Sequence, residues 1–451
     1  MPSLFKSTPL APPGKAPGVM APGDEAMLDS LQHAAFDYFL DRTNLSNGLV
    51  ADTSRASSPS SIAAVGFALS GYPVGVERGW IGRVSAVDRV LCALRFFSQS
   101  DQSGTTTATG FRGFYFHFLD IETGRRVWQS ELSSIDTALL IAGMLTAAEY
   151  FDAESAAETE LRHLADALYR RVDWHWAQRE GGAVSQGWKP ECGFLNYGWD
   201  GYNEALLLYV LGLGSPTHPL TDASFEAWTL TYQWENIYGH DYLYAGPLFV
   251  HQFSHAWIDF RGIRDQFMRE KGIDYFENSR RATLVQRDYA IRNPRGFTGY
   301  GQDRWGLSAG DGPSVEPQAV EGRRQAFYGY AARGVPWGPD DGTIAGASTL
   351  ASIVFAPEIA LPAVRAMVAA RAGGHGDWVR ASGFNDTAHG PVAGGWTSEG
   401  EFALDQGLTV LMVENFRSGL LWRLLRDSVA IRTGLQRAGF QGGWLATKAS
   451  G

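Results

Sequence analysis

From Asp24 to Thr43 the chain reads DEAMLDSLQHAAFDYFLDRT, with Met27, Leu31, Ala35, Phe36, Phe39 and Leu40 at the three- and four-residue spacing of one helix face. An acidic first turn precedes that stripe, so the pattern predicts an N-terminal helix. The same periodicity predicts helices over 60–70, 79–98, 136–151, 153–172, 202–213, 221–232, 273–292, 347–355, 357–371 and 405–433. The segment 153–172 carries a charged outer face and is expected to face solvent. Three others are apolar on every face and must be buried: SSIDTALLIAGMLTAAEY from Ser133, the run after Glu204 (ALLLYVLGLG), and LDQGLTVLMVENFRSGLLW from Leu404.

Strand signals are sparse. Only Gly110 to Asp120 (GFRGFYFHFLD) alternates as a hairpin arm would, and nothing predicts a main sheet. Long Gly- and aromatic-rich connections over 233–260 and 297–346 have the length of functional loops. No short repeat period is present, which argues against a solenoid. The expectation is an all-α fold, helix pairs closed into an (α/α)6 barrel or toroid with long active-site loops at one end. It forms a single domain over 24–451 after a flexible Pro/Gly-rich leader over 1–23.

Each of the three all-apolar helices is entered past an acid: Asp136, Glu204 and Asp405. In such a barrel the inner helices run parallel, so three acids at three entrances predict one shared crater. Each acid also has a simpler reading as a cap or as a first-turn complement to the helix dipole. The dipole lowers a carboxyl pKa, the wrong direction for a general acid, so desolvation must oppose it. Tyr197, Trp199 and Tyr202 around Glu204 are candidates for that apolar lid. Glycosidic cleavage needs one carboxylic acid to protonate the leaving oxygen and a second carboxylate to activate water or attack the sugar.

Composition sharpens this. Aromatics make up 13% of the 451 residues, enough flat amphipathic surface to line a sugar cleft as well as a core. A formal charge of −10 disfavours nucleic acid and anionic membrane as partners. Cys92 and Cys192 form neither a disulfide framework nor a cysteine metal site. No apolar run reaches spanning length, and the N-terminus has no apolar signal region, which reads as a cytoplasmic protein, or a periplasmic one if a signal has been removed. His251 and His255 have the H-x3-H spacing, but without H-E-x-x-H they suit buried histidines better than a metal; no metal or cofactor is expected. The loop GYGQDRWGLSAGDGP from Gly299 lacks the spacing of a phosphate cradle, and nucleophile-elbow and dinucleotide motifs are absent.

Six segments in order, GLVADTSRASSPSSIAAVGFAL, FYFHFLDIETGRRVWQSELSSIDTALLIAGML, GWDGYNEALLLYVLGLGSPTHPL, YLYAGPLFVHQFSHAWIDFRG, NPRGFTGYGQDRWGLSAGDGP and FALDQGLTVLMVENFRSGLLW, carry a resemblance over nearly the whole chain. The sequence resembles the bacterial glucoamylase-like family that includes the β-1,2-glucanases of glycoside hydrolase family 144. That resemblance implies an endo-acting, inverting β-1,2-glucanase whose partner is a β-1,2-glucan, with no metal. It implies Glu204 as general acid and Asp405, ranked first, or Asp136 on the base side. Substrate contacts are implied at Trp188, Lys189, Asp200, Tyr202, His240, Tyr242, Gln252, Tyr300, Trp305, Asp386 and Trp396. In the segment SGFNDTAHGPVAGGWTSEGEF the chain departs from the family pattern, with His389 where Asn is commoner and Glu399 and Glu401 as added acids. Exo action, transglycosylation and an inactive glucan-binding protein are the competing readings.

Overall fold

The structure is a computed structural model that describes residues 11–15, 20–314, 316–320, 323–372, 376–387 and 395–446. In chain order its α-helices are α1 (Asp24–Asp41), α2 (Ile62–Glu77), α3 (Arg83–Gln99), α4 (Ser134–Tyr150), α5 (Ala156–Arg171), α6 (Leu206–Gly214), α7 (Ala223–Thr229), α8 (Phe253–Trp257), α9 (Gln266–Lys271), α10 (Tyr275–Arg292), α11 (Gly346–Ala351), α12 (Pro357–Ala372), α13 (Ala403–Arg417), α14 (Leu420–Arg426) and α15 (Val429–Arg437). Residues 62–75 of α2, 134–147 of α4 and all of α6 are buried without a break, as a helix apolar all round requires.

These buried helices pack side by side: α2 on α4, α4 on α6, and α13 on α2, α8 and α11. Polar side chains link the remaining neighbours, Ser254 of α8 to the start of α6 and Gln252 to Ser348 and Ser352 beside α11. A second layer covers them, α1 on α13, α3 on α2 and α5, α5 on α4, α12 on α11 and α15 on α6. The α2–α4 crossing depends on Gly66 and Gly143. A Cβ on Gly143 would come within 2.2 Å of the Gly66 carbonyl oxygen, so no larger residue permits that approach.

Three features differ from the sequence reading. The run expected as one helix over 405–433 is three helices, broken where Gly419 adopts φ 70° and again at Asp427 and Ser428. A five-stranded antiparallel sheet is present in the order Gly110–Phe111, Phe114–Phe116, Leu132–Ser133, Gly187–Lys189, Gly193–Phe194. Its strands are two or three residues long, too short to show alternation. Residues 11–15, within the expected leader, are tied down: the Arg261 guanidinium donates to the Ala11 carbonyl at 2.7 Å, and Gly14 lies against Phe416. One apolar core runs from Leu28 to Leu445, with a small satellite around Tyr242, Val285 and Leu307.

Candidate active site

Local capping sets the acids. Ser133 ends a strand and opens α4; its Oγ accepts the Asp136 N–H at 3.2 Å and donates to Asp136 Oδ2 at 2.5 Å. Helix α6 begins just after Glu204, where Ser254 Oγ accepts the Leu207 N–H and donates to the Glu204 carbonyl, both at 3.1 Å. Helix α13 has no side-chain cap; its first amide, Ala403 N–H, donates to the Asp52 carbonyl at 2.9 Å. That bond sets Asp52 beside Asp405, in the first turn of α13.

A cavity of about 630 Å³ opens at the entrance of α13. Its walls include Asp52, Arg55, His117, Phe118, Trp128, Phe253, Asp311, Ser348, Tyr330, Phe402 and Asp405, so the first turns of α8, α11 and α13 contribute directly. Tyr330 is exposed and lines the cavity. Desolvation and then the charges of Asp405, Asp52, Asp136 and Glu204 raise its phenol above the usual range. Of the three acids expected at one crater, Asp405 lines the cavity together with Asp52, whereas Glu204 and Asp136 lie behind its wall, Asp136 within electrostatic reach of both Glu204 and Asp52.

Burial dominates their electrostatics. It lifts the Glu204 carboxyl to about 7, with the Asp136 charge adding to it and the residue's own backbone amide opposing. It lifts Asp405 to about 7 as well, against a hydrogen bond from Ser382 and with help from Asp52. Asp52 is also raised by burial, against Ser61 and His117 and with Asp136. His117 is the cation of the group. Its Nδ1 lies 2.8 Å from Glu131 and its Nε2 3.6 Å from Asp136. Burial pulls its pKa down, but Asp136, Glu131 and Asp52 outweigh that and hold it at about 9. Near neutral pH the cluster therefore combines two carboxyls that each titrate in that range with an imidazolium held against Asp136 and Glu131.

The expected sugar contacts are spread around this centre, and none of the eleven lies in the cavity wall. Trp188 is half-buried and stacks on Phe111 at 5.3 Å; Lys189 follows it on the same strand. Asp200 is exposed, and Tyr202 stacks on Tyr275. His240 faces Asp288 at 3.4 Å. Tyr300 donates to Asp340 at 2.7 Å, Asp386 is ion-paired with Arg304, and Trp396 lies on a short strand beside Asn385. Tyr242, Gln252 and Trp305 are buried, because an aromatic ring or an amide that finds apolar neighbours or backbone partners packs as core. His389 lies outside the described residues. Of the proposed lid on Glu204, Tyr197 is exposed, whereas the Trp199 indole donates to Ser134 Oγ at 2.9 Å and ties the Glu204 loop to α4.

His251 and His255 are buried within the core, where desolvation lowers them to about 4 and about 3; they are neutral packing groups. Among the described residues no group of three His, Cys, Asp or Glu side chains is arranged to hold a metal ion, and no helix is long and apolar enough to cross a membrane. Residues missed from sequence are Asp52, His117, Tyr330 and the ion pair of Arg55 with Asp311. Asp52 and His117 do lie within two of the segments that carry the family resemblance.

Comparison with known proteins agrees with this architecture. An exo β-1,2-glucooligosaccharide sophorohydrolase (non-reducing end) from Parabacteroides distasonis is 26% identical over 92% of this chain, which spans 58% of that relative's length. A β-1,2-glucanase structure from the same organism superposes with a TM-score of 0.80 at 25% identity, covering 93% of this chain and 60% of its own. The endo-β-1,2-glucanase of Chitinophaga pinensis, solved with sophorotriose and glucose, gives 0.79 at 26% identity over 94% and 100%. The sequence profile described as "Putative glucoamylase" matches residues 196–429, from the Glu204 loop through α13. That is more than half of the chain, and the protein belongs to the Glycoamylase family.

Proposed function

We propose that this protein is a glycoside hydrolase that cleaves β-1,2-glucan, endo-acting and with inversion, on an (α/α)6 barrel. The six buried helices α2, α4, α6, α8, α11 and α13 are its inner ring. The observation that supports the reading is the pair Asp405 and Asp52 in the wall of one cavity, with Asp136 coupled electrostatically to Asp52 and to Glu204, whose carboxyl burial raises to about 7. Glu204 gives its proton to the glycosidic oxygen as the bond to the anomeric carbon breaks. A water on the opposite face attacks that carbon and gives its proton to Asp405 or Asp136, so a β-linkage yields an α-anomeric product.

Endo action is supported by coverage. The chain matches the whole of the endo-acting Chitinophaga enzyme but 58% of the exo-acting sophorohydrolase. The exo reading has that sophorohydrolase in its favour. Both modes are separated by one experiment: incubate the purified protein with β-1,2-glucan and with starch, follow product length over time and the anomeric form at early times, and run Glu204→Gln alongside. A spread of intermediate lengths marks endo cleavage, and sophorose from the first minutes marks exo. Products from starch alone, or undiminished turnover by the glutamine variant, would overturn the proposal.

A further inference from the structure

The cavity wall contains a residue that neither folding nor burial accounts for. Trp128 and Gln129 are the two central residues of a tight turn closed by the Ser130 N–H donating to the Val127 carbonyl at 3.1 Å. Both have positive φ, 57° and 50°, the backbone of a hairpin turn that ordinarily selects Asn, Asp and Gly. A bulky side chain in this conformation is disfavoured, because its Cβ crowds the following carbonyl. The indole held there is 70% exposed, yet it lines the cavity.

The turn is braced from beneath. Arg126, two residues earlier, is buried, donates to both Glu191 carboxylate oxygens at 2.6 and 3.0 Å and to the Ser130 carbonyl at 2.6 Å, and lies over the Phe116 ring. From the turn, rings lead inward: Trp128 packs on Phe118 at 5.0 Å, and Phe118 stacks on His117 at 4.0 Å, whose Nε2 is 3.6 Å from Asp136. A flat, rigid, exposed indole joined by two rings to the acid cluster is a surface for the apolar face of a pyranose. Strain retained at a cavity wall fits a binding role.

Resting on the glucan-hydrolase reading above, we propose that Trp128 is a stacking platform for one glucose ring of the substrate at the cavity mouth, a subsite beyond the rings that flank the cleaved bond. It recognises the sugar face, so it adds affinity for longer chains rather than for the reacting pair.

The test separates this subsite from the function itself. In the Glu204→Gln background, β-1,2-gluco-oligosaccharides of increasing length are titrated by calorimetry and by tryptophan fluorescence. Trp128→Ala should weaken the longer chains about tenfold, remove the fluorescence response and flatten the rise of affinity with length, with Trp128→Phe intermediate. Trp128→Gly suits the positive φ, so it should bind as weakly as the alanine variant while keeping or raising Tm, an outcome that structural damage does not produce. Equal affinities for the parent and Trp128→Ala at every length would overturn the platform and leave the hydrolase reading intact. A parent that binds no gluco-oligosaccharide of any linkage overturns both. A parent that binds another linkage overturns the β-1,2 reading, and the same variants then decide the platform on that glucan.

Discussion

Helix α13 carries an acid near each end, and the two have opposite fates. Asp405 is in the first turn, where the helix dipole favours a carboxylate, yet burial and the neighbouring Asp52 hold it protonated to about 7. Glu414 is near the last turn, where the dipole opposes its charge, and its side chain is only 2% exposed. There it accepts from Arg78 Nε at 2.8 Å and Nη2 at 2.9 Å, from Gln32 at 3.1 Å and from Ser418 at 2.5 Å. The pattern of Glu414 recurs away from the acid cluster. Asp341 is forked onto the buried Arg333, which brings it below the carboxylate range against its own burial, and Asp24 is lowered by its hydrogen bonds from Arg365. A buried carboxyl bound to a guanidinium is architecture. One enclosed beside a cavity, with hydroxyl, amide and carboxyl neighbours, titrates near neutral pH and can give or take a proton there.

The comparison breaks most visibly in turnover. Glu204→Gln, and separately Asp405→Asn, should lower kcat by about 10²–10⁴-fold, measured as reducing ends released from β-1,2-glucan. Glu414→Gln, on the same helix as Asp405, should stay within a few-fold of wild type. If the Glu414 variant loses as much turnover as the Glu204 variant, the division between structural and reactive carboxyls is wrong.

Stability should show the reverse order. Arg78→Met leaves Glu414 buried without its cation and should cost about 3 kcal/mol, read from the denaturant midpoint at pH 7, with kcat retained in the folded fraction. Adding Glu414→Gln should recover part of that loss. At the other end of the helix, Asp405→Asn should stabilise. The unfolded carboxyl releases its proton near 3.8 and the folded one near 7. As pH climbs between those values unfolding is accompanied by proton release, so the wild type loses stability that the amide does not lose. The gain should be absent below about pH 4, grow through pH 7 and reach on the order of 1–3 kcal/mol at pH 8. A gain that is larger at pH 4 than at pH 8 would refute it.

What the sequence made legible follows the range of the forces involved. Apolar runs and the acids ahead of them are local, so the buried helices and the placement of Asp136, Glu204 and Asp405 at their entrances were readable. Asp52 and His117 were not, because their place depends on distant pairings: the Asp52 carbonyl on the Ala403 amide, and His117 between Glu131 and Asp136. Trp128 was hidden for another reason, since its meaning lies in a positive φ that residue type argues against. Conversely Tyr242, Gln252 and Trp305 have the chemistry of sugar contacts but are buried in the protein, the Gln252 amide nitrogen donating to Ser348 and Ser352.

The smallest expected effect bears on which carboxylate takes the water's proton. If Asp405 is the base, it must be ionised while Glu204 is protonated, and both titrate at about 7. The pH profile of kcat/KM is then a narrow bell centred near 7, whose limbs belong to the coupled pair. The acid limb reports the base. Asp52 raises the Asp405 pKa through its negative charge, so Asp52→Asn should move that limb to lower pH and widen the bell. At the separation of neighbouring side chains in a partly solvated cleft the shift should be under about one unit, and smaller at high salt. A wild-type acid limb already well below 7 removes Asp405 from the base role.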